Sequence, residues 1–185
     1  MLKLLGDDMK NLWNIKEIET KNLILKKPQD TADAQKCHEN FWNSYETAKF
    51  MLWKPTKNVE DAKTKMAKWI EYQKDHLQWF IYDKKSDEPI GFFSVEKLND
   101  NVYGSLGLCF GEKNVGKGYG SEIMTTMIGY LKNLGAKKIE YSFLSGNIPS
   151  QKLAEKFGFK YSHKETRIRK HDGKEFDEIF YILEL

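Results

Sequence analysis

The alternation of apolar and polar positions divides the chain into short strands and amphipathic helices. Runs rich in β-branched and aromatic residues, bounded by Pro, Asn, Asp or Gly, predict strands at 22–27, 79–82, 90–95, 106–110, 138–143, 159–169 and 176–185. Apolar residues at helical spacing behind capping residues predict helices over 30–42, 45–51, 58–70, 123–134 and 147–157. Residues 1–20 carry mixed signals and predict no definite element.

The order of these elements predicts an α/β fold built on a mixed sheet. Helical crossovers between strands imply parallel pairs, whereas tight turns such as Asp172–Gly173 imply hairpins and antiparallel pairs. We therefore expect a central sheet of six to seven strands flanked by helices. The chain of 185 residues fits one domain, expected over residues 19–185 after an N-terminal extension over residues 1–18.

The charge balance argues against a nucleic-acid partner. The 30 basic and 27 acidic residues are mixed along the chain and leave a net charge of only +3. No apolar run approaches the roughly 20 residues of a transmembrane helix, so we expect no membrane association. The cysteines, Cys37 and Cys109, sit in apolar surroundings and are expected to be reduced, buried thiols of a cytoplasmic protein. The four histidines have no metal-ligand spacing, which predicts no metal site.

The stretch Lys113–Glu122 carries the strongest chemical signal. Three glycines, Gly116, Gly118 and Gly120, lie between an apolar strand and an amphipathic helix. Glycine permits positive φ and close approach of a ligand to the backbone, and a helix N-terminus offers free N–H groups and partial positive charge to an anion. With the charge of the neighbouring lysines, the stretch predicts a phosphate-binding loop.

Two nucleotide-binding motifs do not fit this loop. From Gly111 the sequence follows a P-loop until its last position, where Gly118 replaces the Ser or Thr that would hold Mg²⁺. The dinucleotide fingerprint fails as well, because Ser121 stands where its third glycine belongs. Another phosphate ligand is therefore expected.

The loop resembles the Q/R-x-x-G-x-G/A motif of the GNAT superfamily of N-acetyltransferases, and its extended form is similar to the RimJ/RimL-type branch. A second block, Asn147-Ile-Pro-Ser150 followed by Glu155-Lys-Phe-Gly-Phe159, is similar to that branch's N-x-x-S…E-K-x-G-F. The opening segment, Glu19–Lys26, resembles its first strand. The resemblance covers residues 19–185 in order and implies the GNAT-like acyl-CoA N-acyltransferase fold. It departs at Lys113, where the family has Gln or Arg.

The resemblance implies which residues bind acetyl-CoA. Backbone amides of the loop would hold the pyrophosphate, main-chain groups of Leu108, Cys109 and Phe110 would pair with the pantetheine arm, and Asn147 would hydrogen-bond to that arm. Ser150 would lie near the thioester sulfur, and Lys156 near the 3′-phosphate. The implied cofactor-binding residues are Leu108, Phe110, Lys113, Val115, Gly116, Lys117, Gly118, Tyr119, Gly120, Ser121, Asn147, Ser150 and Lys156.

The catalytic groups are less well specified. The backbone amide of Cys109 or Phe110 is the candidate donor to the oxyanion. Many relatives use a tyrosine to protonate the leaving thiolate, but Ala154 occupies that position here, so Ser150 or a water is the substitute; Ser150 could equally be only part of a helix cap. Glu96 and Glu46 are candidate bases, each more simply read as a solvated carboxylate.

Aromatic residues near the second predicted helix allow two interpretations. Trp42, Tyr45, Phe50 and Trp53 could line an amine pocket through cation–π contacts, although at least two of them are expected to be core. Cys109 as an acyl-carrying nucleophile is a weaker hypothesis than a buried thiol.

The sequence thus predicts an acetyl-CoA-dependent N-acetyltransferase that acts on a protein N-terminus or a small-molecule amine by direct attack in a ternary complex. A non-catalytic acyl-CoA-binding module of the same fold is the alternative, suggested by Ala154 in place of tyrosine. A monomer or a homodimer is expected.

Overall fold

A computed structural model describes residues 15–74 and 76–185. Its sheet has eight strands in the spatial order β1-β2-β3-β4-β5-β6-β8-β7. The strands are β1 Glu17–Glu19, β2 Leu23–Lys26, β3 Leu77–Asp83, β4 Glu88–Asn99, β5 Val102–Phe110, β6 Lys138–Leu144, β7 Lys160–Ile168 and β8 Glu175–Glu184. The α-helices are α1 Ala34–Cys37, α2 Tyr45–Ala48, α3 Val59–Tyr72, α4 Tyr119–Asn133 and α5 Ile148–Lys156.

The predicted mixed sheet is confirmed, with one more strand than expected. All neighbouring strands pair antiparallel except β5 and β6, which are parallel and joined through α4. The expectation of six to seven strands was wrong because β1 is only three residues long, too short for an alternating pattern to register. Residues 1–14 lie outside the described residues, so the division at residue 18 stays a prediction.

Several helix ends differ from the prediction for local reasons. The first helix begins at Ala34 rather than Asp30, because the Asp30 carboxylate accepts a hydrogen bond from the Ala32 N–H at 2.8 Å and forms a turn. A π-helix over His38–Trp42 follows it. The predicted cap at Asn58 is confirmed, since its side chain accepts from the Asp61 N–H at 2.9 Å.

The sheet buries an apolar layer on each face. One layer packs against α4 and α5, and its largest buried side chains include Trp79, Tyr130 and Phe159. The other packs against α1, α3 and the π-helix, and it includes Trp42 and Phe80. The helices therefore flank the sheet as predicted.

The feature that positions the site is the divergence of β5 and β6. The two strands pair only from Val102 to Ser105 and from Lys138 to Tyr141, although β5 continues to Phe110. Beyond these pairs, the β5 edge that faces β6 has no strand partner among the described residues. A gap therefore opens in the middle of the sheet, and the loop that leads to α4 lies at its end.

Candidate active site

The glycine loop has the backbone geometry that its sequence predicts. Gly116 and Gly118 have φ of 80° and 84°, a region that disfavours side chains, and a Cβ added at either would meet nothing within 4 Å. The space above both residues is therefore open. Helix α4 begins at Tyr119, earlier than the predicted Ile123, with Gly118 as its N-cap. Gly120 and Ser121 consequently belong to the first helical turn. The Ser121 N–H donates to the Gly118 carbonyl at 3.1 Å, so the N–H groups that precede it are the ones left to bind an anion.

Lysines surround this helix start. The Lys156 ammonium donates to the Ser121 hydroxyl at 2.8 Å, which brings the end of α5 beside the start of α4. Lys117 donates to the Asn114 side chain at 2.9 Å, and Lys113 is exposed. Positive charge and free amide groups thus meet at one place, although Lys156 and Ser121 are 35 residues apart in the sequence.

A cavity of about 290 Å³ extends from the glycine loop into the gap between β5 and β6. We call it the glycine cavity. Most of the residues that the resemblance implies for the cofactor line it, whereas Cys109, Lys113, Lys117 and Lys156 do not. Its lining residues are Leu108, Phe110, Asn114, Val115, Gly116, Gly118, Tyr119, Gly120, Ser121, Tyr141, Asn147, Pro149, Ser150 and Leu153.

The main chain of β5 offers its free groups to this gap at alternate residues. The Cys109 carbonyl faces β4, since a Cβ added at Gly91 would lie 2.1 Å from that oxygen, and the Gly111 N–H also donates to β4, to the Ile90 carbonyl at 2.9 Å. Peptide groups alternate in direction along a strand, so the groups of Leu108 and Phe110 face the gap. The Cys109 amide was a predicted donor to the oxyanion, and this prediction was wrong because that amide faces β4. The other predicted donor, the Phe110 N–H, faces the gap, as does the Leu108 N–H.

A larger cavity of about 450 Å³ lies on the α3 side of the gap. We call it the aromatic cavity, because its walls include Phe50, Trp53, Trp69, Tyr72 and Phe92. It shares four lining residues with the glycine cavity, namely Leu108, Tyr141, Asn147 and Ser150. The two cavities therefore meet at the start of α5, through the gap in the sheet.

Ser150 stands at this junction and is held from two sides. Its N–H donates to the Asn147 side chain at 3.2 Å, which is the helix cap that the sequence allowed. Its hydroxyl oxygen lies 2.8 Å from the Tyr141 hydroxyl. Because the helix cap uses the Ser150 N–H, the Ser150 hydroxyl remains available for chemistry. Burial raises the pKa of Tyr141 more than this hydrogen bond lowers it, which keeps the phenol protonated.

Tyr141 is a site residue that the sequence interpretation missed. Its position in β6 follows an ordinary strand pattern, in which a tyrosine at a buried place predicts only core. The one available signal was the absence of the family's tyrosine from α5. Ala154 occupies that position and is fully buried in the core. A tyrosine hydroxyl nevertheless reaches the junction, from a strand rather than from the helix.

The aromatic residues named from the sequence separate into two groups. Phe50 and Trp53 line the aromatic cavity, whereas Trp42 is fully buried in the core and Tyr45 is 74% exposed and lines neither cavity. At least two of the four were expected to be core, and Trp42 and Trp53 meet this expectation, since Trp53 is partly buried and packs against the same apolar layer as Trp42 while also lining the cavity.

The carboxylate candidates also separate. Glu96 lines the aromatic cavity, and Glu46 does not, since it is exposed on α2 and pairs with Lys49 at 3.7 Å. The sequence interpretation missed two further carboxylates in the same wall, Glu140 and Glu178. Glu178 is buried; it accepts from the Ser142 hydroxyl at 2.7 Å and pairs with Arg167 at 3.1 Å.

Both cysteines are free and buried, as predicted. Burial raises the pKa of the Cys109 thiol to about 12, so it is not a thiolate nucleophile at neutral pH. Within residues 15–74 and 76–185 no group of three or more His, Cys, Asp or Glu side chains is arranged to hold a metal ion. In the same part of the chain, no helix is long and apolar enough to cross a membrane.

A family model described as an acetyltransferase (GNAT) domain matches residues 22–160. The chain belongs to the GNAT acetyltransferase family. This membership agrees with the predicted resemblance.

Two curated relatives are similar over part of the chain. The uncharacterized N-acetyltransferase p20 of Bacillus licheniformis is 26% identical over 147 residues, which is 77% of this chain and 83% of that protein. The uncharacterized protein MJ1062 of Methanocaldococcus jannaschii is 32% identical over 100 residues, 52% of this chain but only 20% of the relative. The chain therefore matches about a fifth of the length of that second protein.

Solved structures share the fold at low sequence identity. A GNAT-family acetyltransferase from Bacillus anthracis has a TM-score of 0.76 at 20% identity, covering 91% of this chain and 98% of the other. The microcin C7 self-immunity acetyltransferase MccE, solved with acetyl-CoA and AMP, has a TM-score of 0.75 at 18% identity. The match covers 89% of this chain and 93% of the other. A ribosomal-protein-S5-alanine acetyltransferase from Vibrio fischeri has a TM-score of 0.69 at 18% identity, covering 91% of this chain and 96% of the other.

Proposed function

We propose that this GNAT acetyltransferase uses acetyl-CoA as its donor and transfers the acetyl group to a primary amine by direct attack in a ternary complex. The observation that carries the proposal is the meeting of the two cavities at Ser150 and Tyr141. A donor in the glycine cavity and an acceptor in the aromatic cavity could then be bound together. The complex of MccE with acetyl-CoA supports this choice of donor for the shared fold.

In this proposal the glycine loop binds the pyrophosphate of acetyl-CoA. Free amides of the first turn of α4 and the open backbone of Gly116 and Gly118 suit a phosphate pair. Lys156, next to Ser121, is placed to add charge, and Lys113 and Lys117 add to the positive potential. The free main-chain groups of Leu108 and Phe110 would pair with the pantetheine arm, as Asn147 would from the opposite side.

The chemistry needs a neutral amine, a stabilised oxyanion and a proton for the leaving thiolate. The Leu108 N–H, which faces the gap at the junction of the two cavities, is the proposed donor to the oxyanion. A carboxylate of the aromatic cavity, Glu96 first, is the proposed acceptor of the amine's proton. When the carbon–sulfur bond breaks, the Ser150 hydroxyl donates to the thiolate sulfur. The Tyr141 hydroxyl then donates to Ser150 and stabilises the charge that moves onto this pair.

The alternative is a domain that binds acyl-CoA without turning it over, which the alanine at Ala154 favours. Release of free thiol from acetyl-CoA, measured over a panel of amines, tests the proposal. We expect release that depends on the acceptor. Tight CoA binding without acceptor-dependent release on N-terminal peptides, polyamines, aminoglycosides or amino acids would instead support the binding domain.

Some finer predictions remain with this proposal. A RimJ/RimL-like place within the family rests on the two motif blocks, at Lys113–Glu122 and Asn147–Phe159, and on the S5-alanine acetyltransferase among the structures with this fold. A cytoplasmic location is consistent with the two free cysteines. A monomer or homodimer, and action without a metal ion, nucleic acid or membrane, stay predictions.

A further inference from the structure

The aromatic cavity carries more negative charge than one amine requires. Its ionic lining consists of the carboxylates Glu96, Glu140 and Glu178 and a single guanidinium, that of Arg167. Arg167 is already paired with Glu178 at 3.1 Å and with Glu165 at 2.7 Å. Among the described residues, neither Glu96 nor Glu140 has an ion pair within 4.0 Å. Two carboxylates are thus left for the ligand.

Strand register places these two carboxylates opposite each other. Glu96 of β4 is the register partner of Gly104 in β5, and Gly104 is in turn the partner of Glu140 in β6. Neighbouring strands lie about 4.8 Å apart, so the Cα atoms of the two glutamates are roughly 10 Å apart on the same face. Gly104 has no side chain, and the Leu98 side chain covers it, with its Cδ1 3.1 Å from the position that a Cβ would occupy. An apolar side chain of the cavity wall therefore lies between the two glutamates.

A buried amide adds an independent sign that a hydrogen-bond donor is missing. Gln78 lines the same cavity, is only 6% exposed, and its Oε1 makes no hydrogen bond within the described structure. Its register partner, Ser94, lines the cavity beside it. A buried carbonyl without a donor is costly, and a ligand N–H would remove that cost.

The remaining walls suit a short apolar segment next to a cation. Trp69, Tyr72 and Phe92 are aromatic, and the face of an aromatic ring attracts a cation. Burial raises the pKa of the Tyr72 phenol most, and the nearby charge of Glu96 raises it further. Carboxylate, ring and buried carbonyl therefore lie in one wall, as the recognition of an ammonium group would need.

We propose that the acceptor is a small alkyl diamine or polyamine, rather than a monoamine or a peptide N-terminus. This inference rests on the proposed function. The reacting amine, on the side of the Ser150 junction, loses its proton to Glu96, whose wall also holds Tyr72 and the Gln78 carbonyl. The second ammonium stays charged and binds Glu140. A cavity of about 450 Å³ accommodates such a molecule, with its carbon chain between the aromatic side chains.

A pair of matched amines tests the proposal. We expect kcat/KM for 1,4-diaminobutane to exceed that for butylamine at least tenfold, since butylamine lacks only the second ammonium. Glu140→Gln should lower this ratio to threefold or less. Glu46→Gln removes the same charge outside the cavity and should leave the ratio unchanged. Equal use of the two amines, or an N-terminal peptide used better than any diamine, would overturn the proposal.

Binding without turnover separates this inference from the proposed function. Calorimetric titration of the protein with 1,4-diaminobutane needs no acetyl-CoA, and we expect its affinity to fall at least fivefold in Glu140→Gln but not in Glu46→Gln. Such binding without any acetylation would contradict the proposed transferase function and support the diamine site. Acetylation of amines without selective diamine binding would support the transferase function and contradict the diamine site.

Discussion

A charge placed at Gly118 tests the phosphate-binding loop in isolation. Gly118 has φ of 84° at the N-cap of α4, and no atom lies within 4 Å of the position that a Cβ would occupy. Asp and Asn are isosteric, both tolerate the left-handed region, and both are good N-caps. The variants Gly118→Asp and Gly118→Asn therefore differ by one negative charge at the proposed pyrophosphate site.

The expected effect can be calculated from that difference. Two unit charges 4–6 Å apart, at an effective dielectric constant near 20, repel by about 3–4 kcal/mol, and each 1.4 kcal/mol is tenfold in affinity. After screening by salt, we expect calorimetry to show an acetyl-CoA Kd at least a hundredfold weaker for Gly118→Asp than for Gly118→Asn. The difference should shrink at high ionic strength. Equal affinity of the two variants, both folded by circular dichroism, would refute the phosphate assignment.

Substitutions at four further positions address catalysis and stability. Tyr141→Phe should lower kcat tenfold or more with an unchanged acetyl-CoA Kd, and its combination with Ser150→Ala should cost little more than either change alone, because one proton path needs both hydroxyls. Glu122 accepts hydrogen bonds from the Asn22 N–H at 2.6 Å and side chain at 2.8 Å, so Glu122→Ala should destabilise by about 1–3 kcal/mol. Burial lowers the pKa of Lys65 to about 7, so Lys65→Met should stabilise the fold at pH 7 by about 1–3 kcal/mol.

The pH dependence and matched controls make these outcomes specific. Burial raises the pKa of Glu122, but the hydrogen bonds, with Asn22 foremost, lower it below 4.5 overall; its contribution is therefore present above pH 4.5 and lost as the pH falls through the folded pKa. For Lys65, the unfolded chain binds the extra proton between pH 7 and 10.5, so stability should rise with pH in that window and Lys65→Met should flatten the rise. Tyr161 is exposed on β7, so Tyr161→Phe removes a hydroxyl outside the site and is the control for Tyr141→Phe. A full-rate Tyr141→Phe enzyme, or pH profiles that the variants leave unchanged, would contradict these assignments.

Local signals in the sequence predicted the backbone geometry around the glycine loop and at the turns well. The glycines between β5 and α4, the Asn147 cap and the Asp172–Gly173 turn each require a particular backbone geometry, and the structure has it at each place. Such residues report on their own conformation, so no long-range information is needed. The fold class followed from the same turns and from the order of strands and helices.

Long-range contacts were not predictable in the same way. The Tyr141 hydroxyl meets Ser150 only because β6 and α5 pack together, and Glu96 faces Glu140 only because the register passes through Gly104. In the sequence, a buried strand tyrosine predicts core and an isolated glutamate predicts a solvated surface. Strand register is set by the whole sheet, and a shift of one residue in β4 or β6 would move the carboxylate of that strand to the other face.

Initial rates with both substrates varied test the central claim most directly. If donor and acceptor occupy the two cavities at once and the amine attacks the thioester, reciprocal plots for acetyl-CoA against 1,4-diaminobutane will intersect, and protein incubated with acetyl-CoA alone will carry no acetyl group by mass spectrometry. Parallel plots together with an acetylated protein would instead show transfer through a covalent intermediate and would contradict direct attack at the Ser150–Tyr141 junction.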